Sequence, residues 1–433
     1  MNVLAGELNK KLEGTCAQRL LSAMGSRMYF PKGILSQSAE ASEKAKRFNA
    51  TIGMAVAGGE PMVLDAVKAQ LPGLSRKEAV AYAPTAGVAA TREAWRKEML
   101  GKNPSLAGAA FSLPVVVPGL TAGISYLGDM FLDEGDQVVV ADMFWPNYRL
   151  VIEERKAAKM TTHRFFTPEG GFDVADLEKV LMETGGRKGK AVLILNYPNN
   201  PTGYTPTLAE ADAMKAALLR VADSGIDLLV ISDDAYFGLQ YEQGTLRESM
   251  FARLAAAHPR ILAAKVDGQT KEDYVWGFRG GFITFACPAL GESAYDALVK
   301  KLMGTIRSSV SSSTAPTQYI LAKAMSDPGY ARQKLEYSAL LERRYHKVKA
   351  FIGSHAAPPG LKVLPFNSGY FMCFECSGYS AEALRLKLLN ERGIGTISIQ
   401  DKWLRVAFSS VDEGGLDELY AEIYAAAAEI GRA

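Results

Sequence analysis

The chain has 433 residues, 48% of them hydrophobic and 22% charged, enough for a large core and more than one domain. Its formal net charge is +2, with acids and bases mixed along the chain, a balance that points to neither nucleic acid nor an anionic membrane as the partner. No apolar run approaches the roughly 20 residues that span a bilayer, and four scattered cysteines, Cys16, Cys287, Cys373 and Cys376, suit a reducing cytoplasm.

The first thirty residues mix charged and apolar types (Glu7, Lys10, Glu13, Arg19) and predict neither a signal peptide nor a transit sequence. From about residue 110 to 290, short β-branched apolar runs alternate with helical patterns. The runs are Ser112–Val117, Gln137–Ala141, Ala191–Asn196 and Asp227–Ser232; the helices are Ala122–Met130, Tyr148–Ala157, Val174–Met182 and Leu208–Ser224. Strands apolar on both faces predict an α/β domain with a largely parallel sheet. Ligands of such sheets bind at the carboxyl ends of the strands.

Beyond Tyr319 the pattern changes. A charged helix over Tyr330–Ile352 is followed by strands near Leu361–Leu364 and Gly369–Phe374. A helix near Ala381–Glu391, a strand near Trp403–Phe408 and a last helix from Gly415 complete a smaller α+β unit. Cys373 and Cys376 form a Cys-x-x-Cys on a strand, where residues three apart face opposite sides, so the pair predicts neither a metal nor a redox site. The histidines, His163, His258, His346 and His355, are isolated.

Chemistry gathers where the apolar runs end. Asn196–Tyr204 contains Asn-Pro-Thr-Gly, Ser232–Gly238 contains Asp-Asp-Ala-Tyr, and Gly268-Gln-Thr-Lys271 precedes Arg279 by eight residues. An amide, a carboxylate, a phenol, an amine and a guanidinium at one sheet edge form the set that holds pyridoxal phosphate. Each has a plainer reading alone. Asn-Pro-Thr-Gly is also an ordinary turn, Asp234 rivals Asp233, and Lys265 rivals Lys271.

In order and spacing the set resembles the class I/II aminotransferases, the fold-type-I pyridoxal phosphate enzymes, from about Asn49 to the C-terminus. The resemblance implies a mostly parallel seven-stranded sheet between helices in a large cofactor-binding domain at 51–325. It implies a smaller domain from 1–50 and 326–433. It further implies a homodimer with shared active sites, acting on small-molecule substrates, an amino acid and a 2-oxo acid.

Residue by residue, it makes Lys271 the amine that takes the cofactor aldehyde and Asp233, three residues before Tyr236, the partner of the ring nitrogen. Asn200 and Tyr236 would share the ring hydroxyl. Gly119, Leu120 and Thr121 open a helix after a strand and, with Thr270 and Arg279, would hold the phosphate. A serine common in the family three residues before the lysine is Gly268 here. Trp145 in Phe-Trp-Pro-Asn-Tyr would stack on the ring, with Phe144 the off-by-one alternative. Tyr82 in Tyr-Ala-Pro-Thr-Ala-Gly and Ser311 would reach the phosphate across the dimer.

Arg405 in Trp-Leu-Arg-Val-Ala would bind the substrate α-carboxylate bidentately. Arg307, four residues before Ser311-Ser312, resembles the arginine of aspartate and aromatic aminotransferases that binds a second carboxylate across the dimer; an interface arginine is the alternative. The expectation is transfer between aspartate or glutamate and 2-oxoglutarate. An aromatic or broad-specificity aminotransferase, or a lyase or synthase on the same scaffold, is the rival. A non-catalytic effector domain would need a DNA-binding helix-turn-helix, and none is read here.

Overall fold

The computed structural model describes residues 34–431 except 52–54, 59 and 63, with isolated positions before residue 11. Cys16 and the expected packing of residues 11–33 lie outside the described residues.

Seven strands form the main sheet: β1 Val115–Val117, β2 Gln137–Ala141, β3 Lys159–His163, β4 Lys190–Asn196, β5 Asp227–Asp233, β6 Ile261–Asp267 and β7 Gly281–Ala286. Their order across the sheet is β1-β7-β6-β5-β4-β2-β3. Pairing is parallel throughout, except that β7 runs antiparallel to both neighbours. Strands β4 to β7 are buried almost end to end, as their unbroken apolar runs require when helices cover both faces. β3 escapes the sequence pattern because Lys-Met-Thr-Thr-His is an edge strand, buried only at its last residue.

Local chemistry sets the helix starts. Leu208–Asp223 begins at a capping box in which Thr207 and Glu210 satisfy each other's backbone N–H groups, an exchange that uses two otherwise orphaned donors. By contrast, Leu120–Phe131 begins at Gly119 with no side-chain cap.

The second sheet is antiparallel: β8 Leu361–Val363, β9 Phe371–Cys376, β10 Ile397–Ile399 and β11 Trp403–Ala407, in the order β8-β9-β11-β10. Helices Tyr330–Ser354, Ala381–Arg392 and Leu416–Ile430 share an apolar core with it, including Leu341, Leu384, Leu404 and Tyr420. Phe48–Asn49 pairs with Ile394–Gly395 beside this sheet, and Arg47 joins the last helix through Glu418 and Glu422. Cys373 packs into the main-sheet core and Cys376 into the second; both are free thiols. Among the described residues no helix is long and apolar enough to cross a membrane.

Parallel register places the carboxyl ends of β4, β5 and β6 side by side: Asn196 lies opposite Asp233, and Asp233 opposite Val266. Because β7 is reversed, its first residue, Gly281, pairs with Val117 at the end of β1. One edge therefore receives the segments that follow β1, β4, β5 and β6 and the segment that precedes β7.

Candidate active site

At this edge Leu120, Thr121, Trp145, Asn196, Asn200, Asp233, Ala235, Tyr236, Thr270, Lys271 and Arg279 line a cavity of about 210 Å³. Nine of these eleven are expected from the sequence; Asn196 and Ala235 are additions.

One end of the cavity is built for an anion. The uncapped start of Leu120–Phe131 leaves backbone N–H groups pointing outward with the helix dipole behind them. Gly119 adopts φ +93°, and a Cβ there would lie 2.5 Å from Arg279 Nη2, so glycine lets the guanidinium approach the helix start. Arg279 is itself in the left-handed region, at φ +52°, and donates to the Trp276 carbonyl at 3.2 Å. No carboxylate pairs with it among the described residues. Thr270 Oγ1 donates to Gly280 O at 3.4 Å.

The serine common in the family at Gly268 is sterically excluded. A Cβ at Gly268 would stand 2.6 Å from Gly280 O and 2.8 Å from Gly281 Cα. Where β6 ends beside the start of its antiparallel neighbour β7, the two backbones are closer than any side chain permits.

Asp233 closes β5, 3% exposed. Its Oδ2 accepts from the buried Tyr148 hydroxyl and its Oδ1 from Ala235 N at 3.3 Å. Burial pushes its pKa up to about 6, against the pull of Tyr148 and Lys271. Burial also lowers Lys271 to about 8; Asp233 opposes that shift and Arg279 adds to it. Lys271 Nζ lies 5.0 Å from the centre of the Tyr236 ring.

Tyr148 has no assigned role in the sequence reading. The signal was present: it stands three residues after Trp145, one helical turn on, and the two rings meet edge to face at 5.5 Å. Burial and the Asp233 charge raise the Tyr148 pKa well above its ordinary value, so it remains a neutral donor. Asn196 is a second addition. Its amide donates to Asp233 O at 2.8 Å and its Oδ1 accepts from Asn200 N at 2.8 Å, which ties the ends of β4 and β5.

The alternatives to the chosen residues face elsewhere. Asp234 points to the opposite side of the sheet, 2.5 Å from Lys265 Nζ and 2.6 Å from Ser249 Oγ. Lys265 is 1% exposed, also lies 3.0 Å from Asp267, and its pKa is raised because the two carboxylates overcome the effect of burial. That ammonium is locked. Phe144 is buried in the core, whereas Trp145 reaches the cavity.

Arg405, on β11, is 2% exposed. Its Nη1 donates to Asn200 Oδ1 at 2.9 Å and its Nη2 to Thr51 O at 3.0 Å. It lies 4.2 Å from the Phe371 ring centre, and its Nε has no partner. Tyr236 stands between these groups: burial raises its pKa, Arg405 pulls the other way, Asp233 reinforces burial, and a hydrogen bond with Asn200 favours the anion.

Of the five other expected residues, Gly119 and Arg405 flank the cavity without lining it, and Tyr82, Arg307 and Ser311 stand away from it. Tyr82 is 93% exposed. Arg307 is exposed at the end of helix Glu292–Arg307, and its Nη1 donates to Ser311 Oγ at 2.6 Å. Ser311 holds φ +68°.

The family model described as aminotransferase class I and II matches residues 54–423. The aspartate/prephenate aminotransferase of Thermus thermophilus is 26% identical over 319 residues, 73% of this chain and 74% of that protein. A probable N-acetyl-LL-diaminopimelate aminotransferase of Bacillus subtilis is 23% identical over 365 residues, 82% of this chain and 84% of that one. The crystal structure of an aminotransferase from Anaerococcus prevotii superposes with a TM-score of 0.83 at 22% identity, covering 94% of this chain and 98% of that one. With the model match spanning most of its length, the chain belongs to the class I and II aminotransferases and is a transaminase.

Proposed function

We propose that the chain is a homodimeric, pyridoxal phosphate-dependent transaminase that exchanges an amino group between an amino acid and a 2-oxo acid. One partner is a dicarboxylate, aspartate or glutamate, with 2-oxoglutarate as acceptor. The observation that carries the amino-acid and 2-oxo-acid part of this reading is Arg405: a buried guanidinium beside Asn200, with no acidic partner among the described residues. A buried cation left unpaired is costly, and a substrate carboxylate would satisfy it bidentately.

The family is generally pyridoxal phosphate-dependent, and the donor set fits that group. The uncapped helix start and the unpaired Arg279 suit a phosphate. The buried Asp233 carboxylate suits a basic ring nitrogen, Asn200 and Tyr236 suit a ring hydroxyl, and Trp145 offers an aromatic face. When bound, the cofactor supplies an aldehyde for amine exchange and a ring that withdraws electrons.

The chain's own residues do the rest. Burial lowers Lys271 to about 8, so near neutral pH a useful fraction of its amine is free to act as nucleophile and then to carry the substrate Cα proton on Nζ. Asp233 holds a proton at the ring nitrogen. Arg405 fixes the α-carboxylate and so orients the Cα–H bond toward Lys271. For specificity, the exposed Arg307 and Tyr82 and the half-buried Ser311 are proposed to act in the neighbouring subunit's cavity, with Arg307 binding the distal carboxylate.

The test is uptake of pyridoxal phosphate by purified protein, followed by bleaching of its visible band with a panel of amino acids. Aspartate and glutamate are expected to bleach it fastest. No uptake would overturn the cofactor assignment. Fast bleaching only by aromatic acids or diaminopimelate would replace the dicarboxylate reading.

A further inference from the structure

Behind the cavity lies a set of buried charges to which the proposed reaction assigns no role. Lys271 runs directly into Glu272, Asp273 and Tyr274. Tyr274 is buried and holds φ +58°, a left-handed conformation that a bulky side chain adopts only under strain. A strained turn three residues from Lys271 persists only if its surroundings hold it. Its relaxation would rotate the backbone that carries the amine.

The restraint comes from helix Tyr330–Ser354, which packs on the second sheet's side of the molecule. Lys334 Nζ lies 2.6 Å from Asp273 Oδ1 and 3.3 Å from Glu272 Oε1. One turn further along, Tyr337 meets the Tyr274 ring edge to face at 5.1 Å. Lys102, from helix Ala89–Lys102, also pairs with Glu272, but no ion pair joins it to Asp273 among the described residues. Asp273 has no exposed side-chain surface; burial raises its pKa, and Lys334 is the strongest opposing group, with Lys102 adding a weaker pull at longer range. Burial alone would lower the Lys334 pKa, yet Asp273 and Glu272 raise it well above its ordinary value.

We propose that Lys334 is a positioning residue for Lys271: by bridging Glu272 and Asp273 it holds the strained turn that aims the Lys271 amine into the cavity. This inference rests on the role proposed for Lys271. Two adjacent carboxylates repel in a medium of low dielectric constant; Lys102 offsets the charge of Glu272, and the Lys334 ammonium alone bridges both carboxylates and ties them to helix Tyr330–Ser354. The clamp acts through the backbone, so its loss changes orientation at Lys271 rather than affinity at Arg405.

The experiment compares wild-type protein, Lys334→Met, Lys334→Arg and Asp273→Asn, each reconstituted with pyridoxal phosphate. Readouts are kcat, KM and the visible circular dichroism of the bound cofactor. Lys334→Met is expected to lower kcat by about 10–100-fold, the scale of a misplacement near 1 Å. KM should stay within about twofold, and the dichroic band should weaken. Lys334→Arg should recover most of both losses. Asp273→Asn, which preserves volume, should repeat the signature and decides the matter if Lys334→Met does not fold. Normal kcat and dichroism in Lys334→Met or, where that does not fold, in Asp273→Asn overturn the inference alone, as does a change confined to melting temperature. Wild-type protein that takes up no cofactor overturns the proposed function and this inference together.

Discussion

Asp233 and Asp234 are adjacent in sequence and face opposite sides of the main sheet: Asp233 accepts from Tyr148 at the cavity, while Asp234 lies 2.5 Å from Lys265 Nζ beneath it. The same division separates the two lysines. Lys271 leaves β6 toward the cavity; Lys265 stays inside the strand, between Asp234 and Asp267.

Lys271→Ala should therefore abolish covalent capture of the cofactor while leaving the fold intact. Borohydride reduction and peptide mapping should label Lys271 in the wild type. Lys265→Met should fail differently: it leaves two buried carboxylates without their cation, a loss of about 3–5 kcal/mol read as a fall in melting temperature. A label on Lys265 would reverse the assignment.

Asp233 is held at the expense of stability. Its folded-state pKa of about 6 lies above its ordinary 3.8, so the folded chain binds its proton more tightly than the unfolded chain. Stability from that proton is complete below pH 3.8 and is lost as pH rises through about 6. In cofactor-free protein at neutral pH, Asp233→Asn should raise stability by about 1–3 kcal/mol. The gain should vanish near pH 4, while activity with cofactor collapses. Denaturant unfolding at the two pH values measures it, and an equal gain at both would show that the carboxylate carries no burial penalty.

Gly268→Ser restores the residue common in the family and should still harm this chain. The added Cβ meets Gly280 O at 2.6 Å, and overpacking of this kind costs about 1–3 kcal/mol. Because the displaced segment leads to Arg279, affinity for the cofactor should fall as well. Equilibrium binding by fluorescence tests this, and unchanged affinity would remove the steric account of the glycine.

Arg307→Ala should lose two to four orders of magnitude in kcat/KM on aspartate and glutamate, about 3–5 kcal/mol for a carboxylate left unpaired. Aromatic substrates should lose far less. Arg405→Ala should damage every substrate, because all share the α-carboxylate. Equal losses across substrates in Arg307→Ala would end the dicarboxylate reading.

The chain alone determined the chemistry and its order along the polypeptide. Continuous apolar strands and short turn motifs are local patterns, so Asn200, Asp233, Tyr236, Lys271 and Arg279 stood out as candidates in the sequence, with the choice of Asp233 over Asp234 and of Lys271 over Lys265 resting on the family resemblance. The parallel sheet that brings them to one edge was legible too. Tertiary structure decided what depends on distant neighbours. It set Lys265 between Asp234 and Asp267, brought Tyr148 to Asp233 across 85 residues, and forced glycine at 268 where the end of β6 lies against the start of β7. It also revealed edge strand β3, whose polar residues carry no apolar run to read. The clamp of Lys334 on Glu272 and Asp273 spans about sixty residues and has no sequence signature, because burial and pairing of charges are properties of packing rather than of spacing.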